Sequence, residues 1–435
     1  MQNKNILLIV VSNILWSFVP VIVSGLFDEF SIITIIFLRF FFSAIVLLVI
    51  AVLLVLINNR NPSNSRIELK ELFRFTLDKN KDFYNIRNIF YFAILGYFGI
   101  ILQLVFFFLA LKLTTISLTM IGFQLSIIII AFYEHGNKSE KLDLFKILYL
   151  IVLIFSIGII IFVKAEQSGV TITSTGFLYI ILFSVCLTFF HIVSAMDKLR
   201  RRELEIINRN ENYKIPRLLV KISLMFFTGI ALMFPIFLLL NLFQTDLSSE
   251  IQQFFYELTI ISIILLRWEI IVLILFTTII PYFLLFTAFA KWNPYSLTYR
   301  QWSSILSTIE PIGGILFGVL FGVETFDTLF LAVVLFLLIL SIMLRFIHES
   351  VNKVNALIAI NLKQGNMERF PIKLLKYDGV SSVQYMVGTY DIILTIKANS
   401  LKDVYYLVNE ELRNLEAIMN LKILFINKIN KLTIN

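Results

Sequence analysis

Residues 30–57 read FSIITIIFLRFFFSAIVLLVIAVLLVLI, and Arg39 is the only charged side chain among them. An α-helix rises about 1.5 Å per residue, so this stretch covers the roughly 30 Å of hydrocarbon in a bilayer with length to spare for tilt. The reading decides the fold because it recurs. Apolar stretches lie at about 6–24, 30–57, 88–111, 117–133, 145–163, 176–196, 218–243, 270–290, 297–321 and 326–346. Each reaches, or nearly reaches, the roughly 20 residues that a crossing needs, and 117–133 is the shortest. The ten fall into two sets of five, and an odd number of crossings per set makes the second set enter with the opposite orientation. That is the arrangement of an inverted-repeat carrier, in which the substrate site lies between the halves near the midplane.

Composition agrees. Hydrophobic residues make up 59% of the 435, with 44 Phe and a mean hydropathy of +0.88, more apolar surface than a soluble core can hide. The net charge of +8 sits in short loops beside the spans, where basic residues set topology and meet anionic headgroups rather than nucleic acid. Cys186 is the only cysteine, so no internal disulfide forms. The first stretch runs through Trp16 and Pro20 without a small-residue cleavage site and reads as a retained span. No nucleotide-binding Gly-Lys loop, metal-ligand cluster or nucleophile triad stands out, and the three histidines are scattered. A non-enzymatic protein without cofactor or metal is expected, and uphill transport would draw on an ion or substrate gradient.

Lys and Arg placement gives the orientation. Arg60, Arg66, Lys70, Arg74, Lys79, Lys81 and Arg87 follow the second span; Lys198, Arg200, Arg201, Arg202, Arg209, Lys214 and Arg217 follow the sixth. Lys138, Lys141 and Lys291 fall on the same side. The opposite loops carry Lys112, Lys164 and Arg267 with acids such as Asp28, Glu29, Asp246 and Glu250. Both termini are therefore expected in the cytoplasm of a multi-pass protein of the cell membrane. Residues 251–266 read as an interfacial segment with Trp268 at headgroup level; the rival reading is an extra or longer eighth span. A glutamate follows the fourth span of each set, Glu134 in the first and Glu324 in the second.

These patches resemble the drug/metabolite transporter superfamily, in its EamA-type branch. Asn13-Ile14-Leu15-Trp16-Ser17-Phe18 with Pro20, then Phe37-Leu38-Arg39-Phe40, then Ile309-Glu310-Pro311 with Glu324, carry the likeness over about residues 5–346. The resemblance implies two five-helix units, 1–165 and 174–347. One departure stands out: Gly122-Phe123-Gln124-Leu125-Ser126 occupies the place where the first repeat should carry a proline.

Charges inside a bilayer are costly and face a cavity or a partner. Arg39 lies about 13 Å into the second span, near mid-membrane. It reads as a counter-charge for an anionic substrate group, or as half of a structural ion pair. Glu310 lies about 21 Å before Glu324 along the ninth span. It reads as a proton-coupling or ammonium-binding carboxyl, or as the structural partner of Arg39. Pro311 removes a helix hydrogen bond just before Gly313, Gly314 and Gly318, giving either a bend with free carbonyls or simple close packing. Trp16, Tyr282 and Trp302 read as an aromatic wall or as interfacial rings. Gln103, Gln124, His191 and Gln301 are polar at membrane depth, as substrate contacts or as bonds between helices.

From about Val354 the pattern becomes soluble. Leu357–Ile360 reads as a strand and 367–376 as a helix. Residues 383–387 and 392–397 alternate as strands around the connection Gly388-Thr389-Tyr390-Asp391. Leu401, Val404, Leu407, Val408, Leu412 and Leu415 share a helical face, and 421–426 closes as a strand. The order βαββαβ predicts an α+β, ferredoxin-like domain. Over about 354–431 this tail resembles the ligand-binding domain of Lrp/AsnC-type regulators, carried by the Gly388-x-Tyr390-Asp391 turn. The resemblance implies pairing of two tails through their sheets and an amino-acid effector near Gly388, Tyr390 and Asp391. The structural alternatives are a turn glycine with positive φ and an aspartate that caps the turn. No helix-turn-helix accompanies the domain, so no DNA partner is expected.

The favoured reading is a secondary transporter of small metabolites, amino acids or related compounds, with efflux preferred and a tail that senses or dimerises. The alternatives are a membrane-anchored sensor that does not transport, and a nucleotide-sugar or drug carrier with the tail as oligomeriser.

Overall fold

The computed structural model describes residues 2–60, 66–80, 83–138, 144–166, 173–194, 203, 206–207, 209–241, 246–290, 299–351, 354–363, 370, 374–375, 377, 380–386, 388–398, 401–413, 415 and 417–425. Among the described residues, ten helices are long and apolar enough to cross a membrane: α1 (Lys4–Ser24), α2 (Ile32–Arg60), α3 (Asn88–Leu113), α4 (Ile116–Tyr133), α5 (Leu144–Glu166), α6 (Ser174–Ser194), α7 (Lys214–Pro235), α8 (Trp268–Leu285), α9 (Trp302–Leu320) and α10 (Thr328–Glu349). The expected spans are all found, within a few residues at most ends.

Two features recur at matching places in the two sets of five. The third span of each set carries one π-helical turn, Tyr97–Ile101 in α3 and Leu275–Ile279 in α8. A short helix fills the connection after the second span of each set, Leu69–Arg74 and Asp246–Glu257. Matching irregularities of this kind are what two related halves would give.

The packing departs from that symmetry in one respect. Helix α1 is interrupted at Ser17–Phe18, ahead of Pro20, and α9 at Ser307–Thr308, ahead of Pro311. A proline has no N–H for the carbonyl four residues earlier, so the ladder loosens there. The first interruption packs against the part of α9 that follows the second: Ser17 lies against Gly313, where a Cβ would meet its hydroxyl oxygen at 2.3 Å, and Phe18 stacks on Phe317 at 4.0 Å. The matching contact is between α4 and α6, where Gly122 meets the Phe183 ring. There α4 is unbroken from Ile116 to Lys138, as the missing proline leads one to expect, and α6 from Ser174 to Ser194. One seam is broken; its counterpart runs between continuous helices, with the Thr188 hydroxyl of α6 donating to the Ser126 carbonyl of α4 at 3.4 Å.

Residues 251–266 form the end of the helix Asp246–Glu257, a 3-10 turn over Leu258–Ile260 and the helix Ile261–Leu265. The chain then turns at Leu266–Arg267 before α8 begins, so this segment is separate from the eighth span.

The described residues of the tail form four strands, β1 (Val354–Leu362), β2 (Val380–Tyr385), β3 (Ile392–Ala398) and β4 (Ile418–Phe425), in the order β2-β3-β1-β4 and all antiparallel. That is the sheet of a ferredoxin-like α+β domain. Strand alternation sends Ala356, Ile358, Ile360, Leu394 and Ile396 to one face, where they bury against Val404, Val408 and Leu412 of the helical stretch 401–412. Of the helix expected at 367–376, only Phe370, Leu374 and Leu375 are described; Phe370 and Leu374 are helical and belong to the same core. Val387 and Ile426, expected in strands, lie outside the described residues.

Candidate functional site

Arg39 is 3% exposed in the first third of α2, and its position is set by a proline on another helix. In a regular α-helix the Thr277 carbonyl would accept the N–H of residue 281. That residue is Pro281, so the carbonyl is left over. The π turn Leu275–Ile279 just before it opens the helix further, as π turns at functional sites often do. Arg39 takes what the helix leaves: its Nη2 donates to the Thr277 carbonyl at 2.9 Å and its Nε to the Thr278 hydroxyl at 2.7 Å. The Thr278 hydroxyl donates in turn to the Leu273 carbonyl at 2.9 Å, which fixes its lone pairs toward Arg39. The third face of the guanidinium is unmet. Nη1 is buried and has no hydrogen-bond partner among the described residues. An unpaired donor on a buried charge costs several kcal/mol.

The surroundings are aromatic and carry one carboxyl. The guanidinium lies over the Phe40 ring at 5.3 Å. Tyr282 packs edge-on against Trp16 at 5.2 Å and against Phe226 at 5.3 Å. Ser12 on α1 donates to the Pro281 carbonyl at 3.1 Å, tying α1 to α8 beside the ring pair. Glu310 and Tyr282 both lie within electrostatic reach of Arg39. Glu310 opens the second part of α9, followed at once by Pro311, and its amide donates to the Ser307 carbonyl at 3.2 Å across the interruption.

Gln124 reaches this level by register. Helices α4 and α9 run antiparallel: a Cβ at Gly318 would meet Ile116, and one at Gly314 would meet Met120. One more turn of each helix sets Gln124 opposite Glu310. Gln124 is 0% exposed, and neither its Nε2 nor its Oε1 has a hydrogen-bond partner among the described residues.

The structure thus brings Trp16, Arg39, Tyr282, Glu310 and Pro311 together and sets Gln124 at their level. Trp302 packs instead against Phe346 of α10 at 5.5 Å, so the expected three-ring wall reduces to Trp16 and Tyr282, extended by Phe226. Gln103 is partly buried on α3, and the Gln301 side chain is outside the described residues. Thr277, Thr278 and Pro281 are not singled out by the sequence reading; a proline four residues after a threonine pair, in Thr277-Thr278-Ile279-Ile280-Pro281, is the one trace they leave in it. A cation with a spare donor, a carboxyl and an amide within apolar walls can hold a dipolar organic molecule.

In the tail, Gly388 has φ +148 and nothing within 4 Å of a Cβ built on it, so a turn conformation that L side chains rarely adopt is its evident requirement. Asp391 caps β1 rather than its own turn: its Oδ2 accepts the Leu362 N–H at 2.7 Å, while its amide donates to the Ile360 carbonyl at 3.0 Å. Tyr390 is partly buried beside it. Asp391→Ala should therefore loosen this end of the sheet by about 1–3 kcal/mol. Faster hydrogen exchange of the Leu362 amide in the full-length protein checks this, and an unchanged rate would contradict the cap.

No curated protein matches the chain. Among the solved structures that match is a crystal structure at 12% identity and a TM-score of 0.46, covering 80% of this chain and 98% of its own. Residues 355–433 match the model of the Lrp/AsnC ligand binding domain. Residues 3–162, which hold the first five spans, match the model of the EamA-like transporter family, so the resemblances read from the sequence are matched in the first five spans and in the tail.

Proposed function

We propose that the protein is a secondary transporter of small metabolites, amino acids or related dipolar compounds, held in the cell membrane by two five-helix units, 1–165 and 174–347. The single observation that supports this best is the unpaired Nη1 of Arg39, buried within α2 beside aromatic rings and within reach of Glu310. A carboxylate of the substrate would complete the guanidinium, and its ammonium group would face Glu310. The tail, 354–431, then reports on the same class of compound and pairs two subunits through its sheets, with both termini in the cytoplasm. A sensor on that side faces the pool that export would lower, and this favours efflux.

Calorimetric titration of the full-length protein in detergent with the twenty amino acids tests the substrate class. Saturable binding of one or a few, weakened in Arg39→Gln, is the expected result. Heats that are absent for all twenty would leave the carrier without its proposed class of solute.

The unbroken α4 favours a second reading, in which the ten spans anchor a sensor and carry nothing. Flux through reconstituted vesicles separates the two, since the anchored sensor would show none.

A further inference from the structure

Three glutamates of the second five spans hold helix starts of the first five, at the face opposite the N-terminus. The helix Asp246–Glu257 lies at the beginning of α2. Both carboxylate oxygens of Glu257 accept the Ser31 N–H, at 3.1 and 3.2 Å, and Glu250 Oε2 accepts the Ile32 N–H at 2.8 Å. Lys112, at the end of α3, pairs with Glu250 at 2.7 Å. At the start of α4, Glu324 accepts the Ser117 N–H at 3.0 Å together with the Ser117 hydroxyl. Lys164 at the end of α5 pairs with Glu324 at 2.7 Å and donates to the Thr325 carbonyl at 2.6 Å. The Lys164 and Glu324 side chains are 1% and 3% exposed.

The chemistry is the same in both places. The first turn of a helix offers N–H groups without intrahelical acceptors and the positive end of its dipole, and a carboxylate satisfies both. Each carboxylate comes from one half, while the helix start and the lysine come from the other. The α4–α9 seam then descends from Glu324 through Ile116–Gly318 and Met120–Gly314 to the level of Gln124 and Glu310. Whatever separates that seam opens a path from this face to the candidate site.

We propose that these two carboxylate latches are the closed gate of the face opposite the N-terminus, and that the buried Lys164–Glu324 latch governs its opening. This rests on the transport reading. Breaking a buried ion pair by removing one partner leaves a charge without compensation, so the closed state loses most where the pair is driest.

The test uses the Cys186→Ser background, which removes the only native thiol. Met120→Cys places a reporter beneath the latch, and a membrane-impermeant maleimide is applied to each side of sealed vesicles. With Glu324 intact the reporter should react slowly from both sides; with Glu324→Gln it should react about tenfold faster or more from the latch side alone. Equal rates in the two proteins would overturn the proposal. A second pair guards against a merely misfolded variant. Ile116→Cys with Gly318→Cys places Cβ atoms about 3.6 Å apart, within disulfide range. Oxidation should stop flux of a labelled amino-acid mixture and reduction should restore it. Full flux from the oxidised protein would place the gate elsewhere while leaving transport intact. If even the unmodified protein moves none of the mixture, the transport reading fails, and the maleimide rates still decide the latch.

Discussion

Arg39→Gln should leave the protein inserted and folded but lower substrate flux about 100-fold. The substitution removes the charge and the Nη1 donor, while a glutamine can still reach one of the two groups on α8, the Thr278 hydroxyl or the Thr277 carbonyl. A buried charged contact to a ligand is worth about 2–5 kcal/mol when truncated, which spans that factor. Arg39→Lys should recover part of the loss and no more. Lysine keeps the charge but lacks the planar fork that lets one side chain bond Thr277, Thr278 and a third group at once. Thr278→Val keeps the bulk and removes the acceptor of Nε; it should weaken apparent affinity more than maximal rate. If Arg39→Gln transports normally, the arginine is a structural tie between α2 and α8. If it fails to fold, the same conclusion follows from the opposite direction.

Gly96→Val should prevent α3 from seating against α7 and cost about 3 kcal/mol or more. A Cβ built on Gly96 would lie 2.0 Å from the Met225 carbonyl oxygen, and one on Gly229 would lie 2.8 Å from the Gly96 carbonyl carbon. These are backbone atoms and cannot swing aside as a flexible side chain would. Gly96 immediately precedes the π turn Tyr97–Ile101, so the crossing fixes the irregular part of α3 in place. The expected result is a large fall in melting temperature in detergent and in yield from the membrane, with Gly96→Ala intermediate. A Gly96→Val protein of unchanged melting temperature would mean that α3 and α7 can part without loss. At the matching place in the other half, the π turn of α8 receives Arg39 rather than a glycine crossing. One π turn of the pair is closed by backbone contact and the other is held by a charge.

The ten spans were legible because hydrocarbon demands long apolar runs, and the tail because strand alternation differs so plainly from them. Arg39 and Glu310 stood out for the same reason: a charge within such a run is expensive, and its presence needs a cause. The cradle of Arg39 was not legible. It depends on Pro281 releasing one carbonyl and on a π turn that no residue pattern announces. Glu250 was read as a loop acid, and Glu257 drew no notice. Distance along the chain hides that both lie at the start of α2, buried to 6% and 3% exposure. Trp302 was grouped with Trp16 by type and depth, but the break at Ser307–Thr308 leaves it on the part of α9 that packs against α10. Asp391 reads from the sequence as an effector contact or as a cap of its own turn, whereas the antiparallel register of β1 and β3 carries its side chain to the Leu362 amide.

The central claim is that the ten spans carry a dipolar metabolite held by Arg39. Exchange in proteoliposomes tests it most directly: vesicles loaded with an unlabelled amino-acid mixture are placed in each labelled amino acid in turn. The account predicts trans-stimulated uptake of at least one, abolished by Arg39→Gln and insensitive to detergent-matched empty vesicles. Uptake that never exceeds that of empty vesicles, for any of the twenty, would contradict it.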